Sequence, residues 1–345
     1  MLTMTLPAFG AYFFAENFLY VGKYRAFGDD FWRAVFSPTD DVFFRPFFTA
    51  TGLLWELWTP LDPWLYHARN LALTILNLLL LARVLTYLVR SRAGRVAGLA
   101  LFIVSKVHFT AIGYVTVFES IQSLTLLLAT LLCFLRYRAY GRRLDYALGL
   151  LCGSLAVFTK DYGLAILAVL AALAATTAAS SATWRATAKW WGIRLAPLLL
   201  VAVAYLGARA SAVGLVPPAD PSGVSEHAAY APQLSPDITS TKLLVLASTM
   251  ANLSYGRSDV TGAGGLSVAV GWLPTRLRAA APWVDHALLG GFLVLTAITL
   301  WAGRGARWRL LLPLVWIAAY FGPTLLTRNI QMYYLYEVLA GAAVL

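Results

Sequence analysis

The sequence predicts an all-α fold, a polytopic transmembrane helical bundle of about ten spans with two external loops bearing interfacial helices, and three observations predict it. First, 60% of the 345 residues are hydrophobic and 12% are charged, where a soluble domain carries about 25% charged residues; the mean hydropathy is +0.69. Second, the apolar residues fall in Leu/Ala/Val runs long enough to cross a bilayer. Third, the charges are sorted by sign along the chain. A net charge of +11 would suit nucleic acid if it lined one face. Here the basic residues sit in short clusters between apolar runs, the pattern of cytoplasmic loops, so the partner expected is the lipid bilayer and not nucleic acid.

Spans of roughly 17–25 residues fit positions 4–22, 71–89, 96–117, 120–135, 144–159, 162–179, 195–214, 286–302, 310–326 and 330–345. No Lys or Arg precedes Lys23, which argues against a secretory leader. The first run, Leu6 to Val21, is then either a span interrupted by Glu16 or the remnant of one that starts upstream, and the last run reaches Leu345. Either end is open to extension, and residues 1–345 read as a single transmembrane domain.

The connections test this topology. Those at 90–95, 136–143, 185–194 and 303–309 carry thirteen basic residues and no acid, and all four fall on one side if the ten spans alternate. That side is the cytoplasm by the positive-inside rule. Of the sixteen acids, all but Asp145 then lie on the opposite side or in the outer part of a span. Lys106 and His108 fit poorly inside the third span. The apolar segment Lys242 to Leu253 is too short to cross comfortably and would break the parity, so it is placed as a helix on the membrane surface.

The first external loop covers about 23–70. Within it Pro46 opens FFTATGLLWELW, with Phe47, Leu54 and Trp58 at helical spacing, which predicts an amphipathic helix in the interface plane. The second, about 216–285, is rich in Pro and Gly and reads as turns rather than as a domain. Trp55, Trp58, Trp64, Trp190, Trp191, Trp283, Trp301 and Trp308 fall near span ends, as interfacial aromatics do. Cys133 and Cys152 lie in apolar runs without disulfide or metal-ligand spacing and read as packing residues at lipid depth.

Five places have chemistry to offer. Asp29 and Asp30, adjacent carboxylates outside the first span, suit a general base or a divalent-cation ligand, while Asp30 equally suits the cap of a helix beginning at Phe31. Asp40 and Asp41, after Ser-Pro-Thr, read as a turn. Arg45-Pro46 brings a guanidinium suited to bidentate phosphate binding, or to lipid headgroups. His67 and Asn70 share a helix face at the start of the second span. Lys160-Asp161 stands at a membrane boundary, where ionisable residues are functional candidates rather than a self-neutralising pair; Glu119 carries a weaker form of that argument. Near the end, Arg328, Tyr333, Tyr334, Tyr336 and Glu337 offer a polar and aromatic wall. Walker A, GxGxxG, HExxH and GxSxG patterns are absent, so a transferred group must come from a donor reached within the membrane.

In chain order, a first span, external Asp29-Asp30, Arg45-Pro46 before a hydrophobic run, and Pro63, Tyr66, His67 and Asn70 opening the second span resemble the membrane-embedded type C (GT-C) glycosyltransferases. The likeness is greatest to the branch of O-mannosyltransferases with fused tetratricopeptide repeats and their bacterial relatives. Lys160-Asp161 resembles that family's basic–acidic pair after its fifth span, and Tyr333 to Gly341 its terminal motif. Departures are Thr74, where relatives carry a second His, and Arg328, five residues ahead of Tyr333.

The resemblance implies a multi-pass enzyme of the bacterial inner membrane. It would move a sugar from a polyprenyl-phosphate donor to a glycan or protein hydroxyl on the external face, with inversion. Asp29 or Asp30 would deprotonate the acceptor; Arg45, Lys160 and Arg328 would hold the donor phosphate. His67, Asn70, Glu119, Asp161, Tyr333 and Tyr334 would contact substrate. A divalent cation is the one cofactor it leaves open. The competing expectation is a transporter or flippase of a lipid-linked or anionic substrate, in which the same charges line a pathway.

Overall fold

A computed structural model describes residues 30–38, 43–59, 62–105, 107–113, 117–179, 183–214, 307–325 and 335–345. The proposed spans at 4–22 and 286–302, the second external loop with its surface helix, Asp29, Asp40, Asp41, Lys106, Arg328, Tyr333 and Tyr334 lie outside these. The described residues form eleven α-helices and no strand.

Local chemistry sets most helix ends. Asp30 caps α1 (Phe31–Phe36) by accepting from Arg33 N at 3.0 Å. Pro46 opens α2 (Pro46–Trp58), where its missing N–H has no partner to lose. Asp62 caps α3 (Pro63–Leu88), accepting from Trp64 N at 3.0 Å with Pro63 in the first turn. Ser91 caps α4 (Arg92–Val104) through Gly94 N. After α5 (Val107–Gly113) come α6 (Phe118–Tyr140) and α7 (Arg143–Thr159), joined by a two-residue turn in which Gly141 takes φ +69°. A 3₁₀ turn, Asp161–Leu164, leads into α8 (Ala165–Ala179), then α9 (Trp184–Val213), α10 (Arg307–Leu325) and α11 (Tyr336–Val344).

Helix α6 is the axis of the bundle. It packs against α7 on one flank and α3 on another, and Ile121, Leu124, Leu127, Leu128, Leu131 and Phe134 along it are fully buried. Helix α11 wedges among α3, α4, α5, α6 and α10, while α8 rests on α9 and α10. Lipid is as apolar as leucine, so such contacts are held by fit rather than by a hydrophobic drive. Gly98 of α4 shows the fit: a Cβ there would collide with the Ala343 carbonyl of α11.

Among the described residues four segments are long and apolar enough to cross a membrane: α3, α6, Asp161–Ala178 and α9. Large apolar side chains also face outward, among them Leu79, Leu144, Leu151, Leu200 and Val203, a surface that water-soluble monomers avoid. Length, composition and surface together point to an integral membrane protein.

The structure revises several expectations. The third span, 96–117, is broken at Ser105, which leaves α4 in extended conformation (ψ 134°). The break delivers His108 inside the bundle, where its Nε2 meets the Phe102 carbonyl and its ring stands edge-on to Phe102 and Tyr336 at 4.7 and 5.5 Å. The basic clusters expected in connections mostly continue helices: Arg136 and Arg138 belong to α6, and Arg185, Lys189 and Arg194 to α9. Arg and Lys end an apolar window but are good helix formers, so the helix runs on. Trp191, expected at an interface, is buried in the core and donates to Thr177 Oγ1 at 2.8 Å. On α2 the packed face is Phe48, Thr49, Gly52 and Leu53, leaving Leu54 and Trp58 of the expected apolar stripe exposed.

Candidate functional site

Most described side chains singled out by sequence meet at one end of the bundle, around the first turn of α6. Its three consecutive residues Phe118, Glu119 and Ser120 each receive a cation from a different part of the chain. The Arg69 guanidinium lies 3.8 Å over the Phe118 ring. Arg45 pairs with Glu119. The Lys160 ammonium donates to Ser120 Oγ at 2.6 Å.

The last two cations reach further. Arg45 Nε stands 3.7 Å from Asp161 Oδ2, and the Lys160 ammonium is 3.3 Å from Glu337 Oε1. Lys160 and Glu337 are each 1% exposed, and Arg45 and Glu119 are 7% and 6% exposed. Burial at this depth is tolerable only because the charges are matched: Arg45, Lys160 and Arg209 stand against Glu119, Asp161 and Glu337.

Neighbours in sequence are not partners in space. Lys160 turns to α6 and α11, while Asp161 turns to α9, accepting from Arg209 Nε at 3.0 Å and from the Tyr205 hydroxyl at 2.9 Å. The 3₁₀ turn produces the divergence. Lys160 stays extended (φ −153°, ψ 147°) at the end of α7, and Gly163 folds the turn so closely on α7 that a Cβ there would strike the Ala156 carbonyl. The Tyr205 hydroxyl is also 3.0 Å from the Phe44 carbonyl. Two residues four apart on α9 thereby hold both the backbone just before Arg45 and the carboxylate beside its guanidinium.

His67 and Asn70 tie α3 to the backbone of α5. Both are fully buried. His67 Nδ1 lies 2.9 Å from the Ile112 carbonyl, and Asn70 Nδ2 donates to the Ala111 carbonyl at 3.2 Å. They cap the carbonyls left over at the end of the short helix α5. The stripe continues down α3: Thr74 Oγ1 takes the Tyr336 hydroxyl at 3.3 Å, and Asn77 Nδ2 donates to the Ile121 carbonyl at 3.0 Å.

Asp30 is exposed and its carboxylate caps α1, the alternative that the sequence left open. Sequence reasoning passed over Arg69, Tyr205, Arg209 and Glu56, the last of which takes the Tyr66 hydroxyl. Spacing held a clue for one pair, since Tyr205 and Arg209 recur at i, i+4 near the end of an apolar run. Among the described residues no group of three or more His, Cys, Asp and Glu side chains is arranged to hold a metal ion. Cys133 and Cys152 are free and half-buried.

No family model matches the chain, and neither a curated protein nor a solved structure is found to match it.

Proposed function

We propose that the chain is a membrane glycosyltransferase that moves a sugar from a polyprenyl-phosphate donor to an acceptor hydroxyl on the external face, with inversion. In this reading about ten spans alternate across a bacterial inner membrane and two external loops, near 23–70 and 216–285, complete the site. The observation that supports it is the convergence of Arg45, Lys160 and Arg69 on one turn of α6 at one end of an apolar bundle. A polyprenyl tail requires lipid access, and its phosphate requires cations held where the dielectric is low.

Arg45 and Lys160, aided by Arg328, stabilise the negative charge that develops on the departing lipid phosphate. They do so by exchanging a carboxylate contact for a phosphate contact, which keeps the site near neutral. Asp29 or Asp30 takes the proton of the acceptor hydroxyl. Glu119 and Asp161 orient Arg45; His67 and Asn70 orient the first turns of α3.

The test is transfer of radiolabel from a polyprenyl-phosphate sugar in membranes holding the full chain. Arg45→Gln lowers transfer by about 10²–10³, the effect of losing one charge-stabilising donor, and Asp29→Asn with Asp30→Asn abolishes it. Unchanged transfer in folded variants removes the assignment. A second reading, transport of a lipid-linked or anionic substrate, draws on the Lys160–Glu337 pair, because ion pairs this deeply buried also line transport pathways. Movement of substrate across proteoliposomes without bond cleavage would select it.

A further inference from the structure

The opposite end of the bundle carries a second feature. At the α6–α7 turn Arg138, Arg142 and Arg143 fall within six positions and all are exposed. Among the described residues no carboxylate lies within ion-pair distance of any of them. The one acid nearby, Asp145, is buried and paired with Arg136 Nε at 3.2 Å, so it leaves the three charges uncancelled.

What borders the cations is apolar. Tyr140 is 61% exposed, with the Arg142 guanidinium 5.5 Å from its ring centroid. Leu144, Leu148 and Leu151 are exposed along one face of α7, and Arg143 and Ala147 are exposed on the same face. A strip about 10 Å long at 1.5 Å per residue thus leads from the basic turn down the helix.

We infer that this turn is a binding site for an anionic phospholipid, with the headgroup phosphate on Arg138, Arg142 and Arg143 and an acyl chain along Leu144, Leu148 and Leu151. Charge alone would suit any phosphate; the exposed aliphatic strip starting at the cations selects a lipid over a free anion. Tyr140 sits where interfacial aromatics lie, at the level of the headgroups. The site depends on the membrane setting of the bundle and is independent of glycosyl transfer.

The full chain is purified in detergent and exposed to phosphatidylglycerol or phosphatidylcholine of identical acyl chains, and retained lipid is measured by native mass spectrometry. Phosphatidylglycerol is retained in preference. R138Q/R142Q/R143Q lowers its retention at least about tenfold, three charges each contributing roughly fivefold near an anionic headgroup before screening. R138K/R142K/R143K keeps it, which separates loss of charge from misfolding. If the glutamine triple is not helical by circular dichroism, R143Q alone carries the test with a roughly fivefold loss. R185Q/K189Q, at the start of α9, leaves retention within about threefold, since those residues are not on this turn. Equal retention of the two lipids, parental retention by the glutamine variants, an equal loss in R185Q/K189Q, or displacement of the lipid by excess inorganic phosphate would each overturn the site.

Discussion

At one end of the bundle Arg45, Lys160 and Arg209 lie against Glu119, Glu337 and Asp161 in a network drawn from five separate segments. At the other, Arg90, Arg92, Arg138, Arg142, Arg143, Arg185 and Lys189 face outward. Beside the Arg136–Asp145 pair, aromatic contacts tie that second end together: Tyr137 stacks on Trp190 at 5.5 Å, and the Arg194 guanidinium lies 4.1 Å over Trp190 and donates to the Tyr137 hydroxyl at 3.0 Å. The difference is one of solvation. Exposed guanidinium groups keep water or headgroups and need no partner, whereas a cation withdrawn from solvent must bring its counter-charge with it.

The contrast has measurable consequences. The largest is at Lys160. Lys160→Met strands the Glu337 carboxylate in the core and lowers stability by about 3–5 kcal/mol, while adding Glu337→Gln recovers most of it; thermal unfolding of the purified chain in detergent reads both. Equal losses in the single and double variants would mean that the pair is not coupled. Arg45→Gln combined with Glu119→Gln sharpens the same point, because it restores stability lost in Arg45→Gln while leaving transfer down by about 10²–10³.

Smaller effects follow from narrower contacts. Gly98→Val forces α4 away from the Ala343 carbonyl and costs about 1–3 kcal/mol as overpacking, read as a lower unfolding temperature. Tyr205→Phe keeps the ring against Phe44 and Phe158 but removes the proton shared by Asp161 and the Phe44 carbonyl, at about 1–3 kcal/mol. The smallest is at the basic end. Arg142 is exposed with its guanidinium 5.5 Å from the Tyr140 ring centroid, so Arg142→Gln costs about 1 kcal/mol or less. A cost matching that of Lys160→Met would erase the distinction between the two ends.

Much of the fold is readable from local chemistry. Pro46 announces a helix start in the sequence, and the structure adds Asp62 and Ser91 at helix starts and Gly141 at a helix end, because caps and φ constraints act within a few residues. The apolar runs behind α3, α6, α7 and α8 are legible for the same reason. The break at Ser105 is not, since it depends on where His108 finds the Phe102 carbonyl and the Tyr336 ring. Lys160 and Asp161 stood out as costly charges in an apolar setting. Arg209 and Glu337 did not declare themselves as their partners, because those contacts cross 48 and 177 positions. The capping role of Asp30 was legible before Phe31, because a cap acts within three residues.

By itself the sequence determined that the chain is helical and apolar enough for a membrane, and that its basic residues gather in short clusters between apolar runs. Those are properties of composition and order, and they survive any rotation of one helix against another. Tertiary structure alone decided which charges meet. With 3.6 residues per turn, one position of error turns a side chain about 100° away, so the pairing of Lys160 with Glu337 and of Asp161 with Arg209 exists only once α7, α9 and α11 have taken their places around α6.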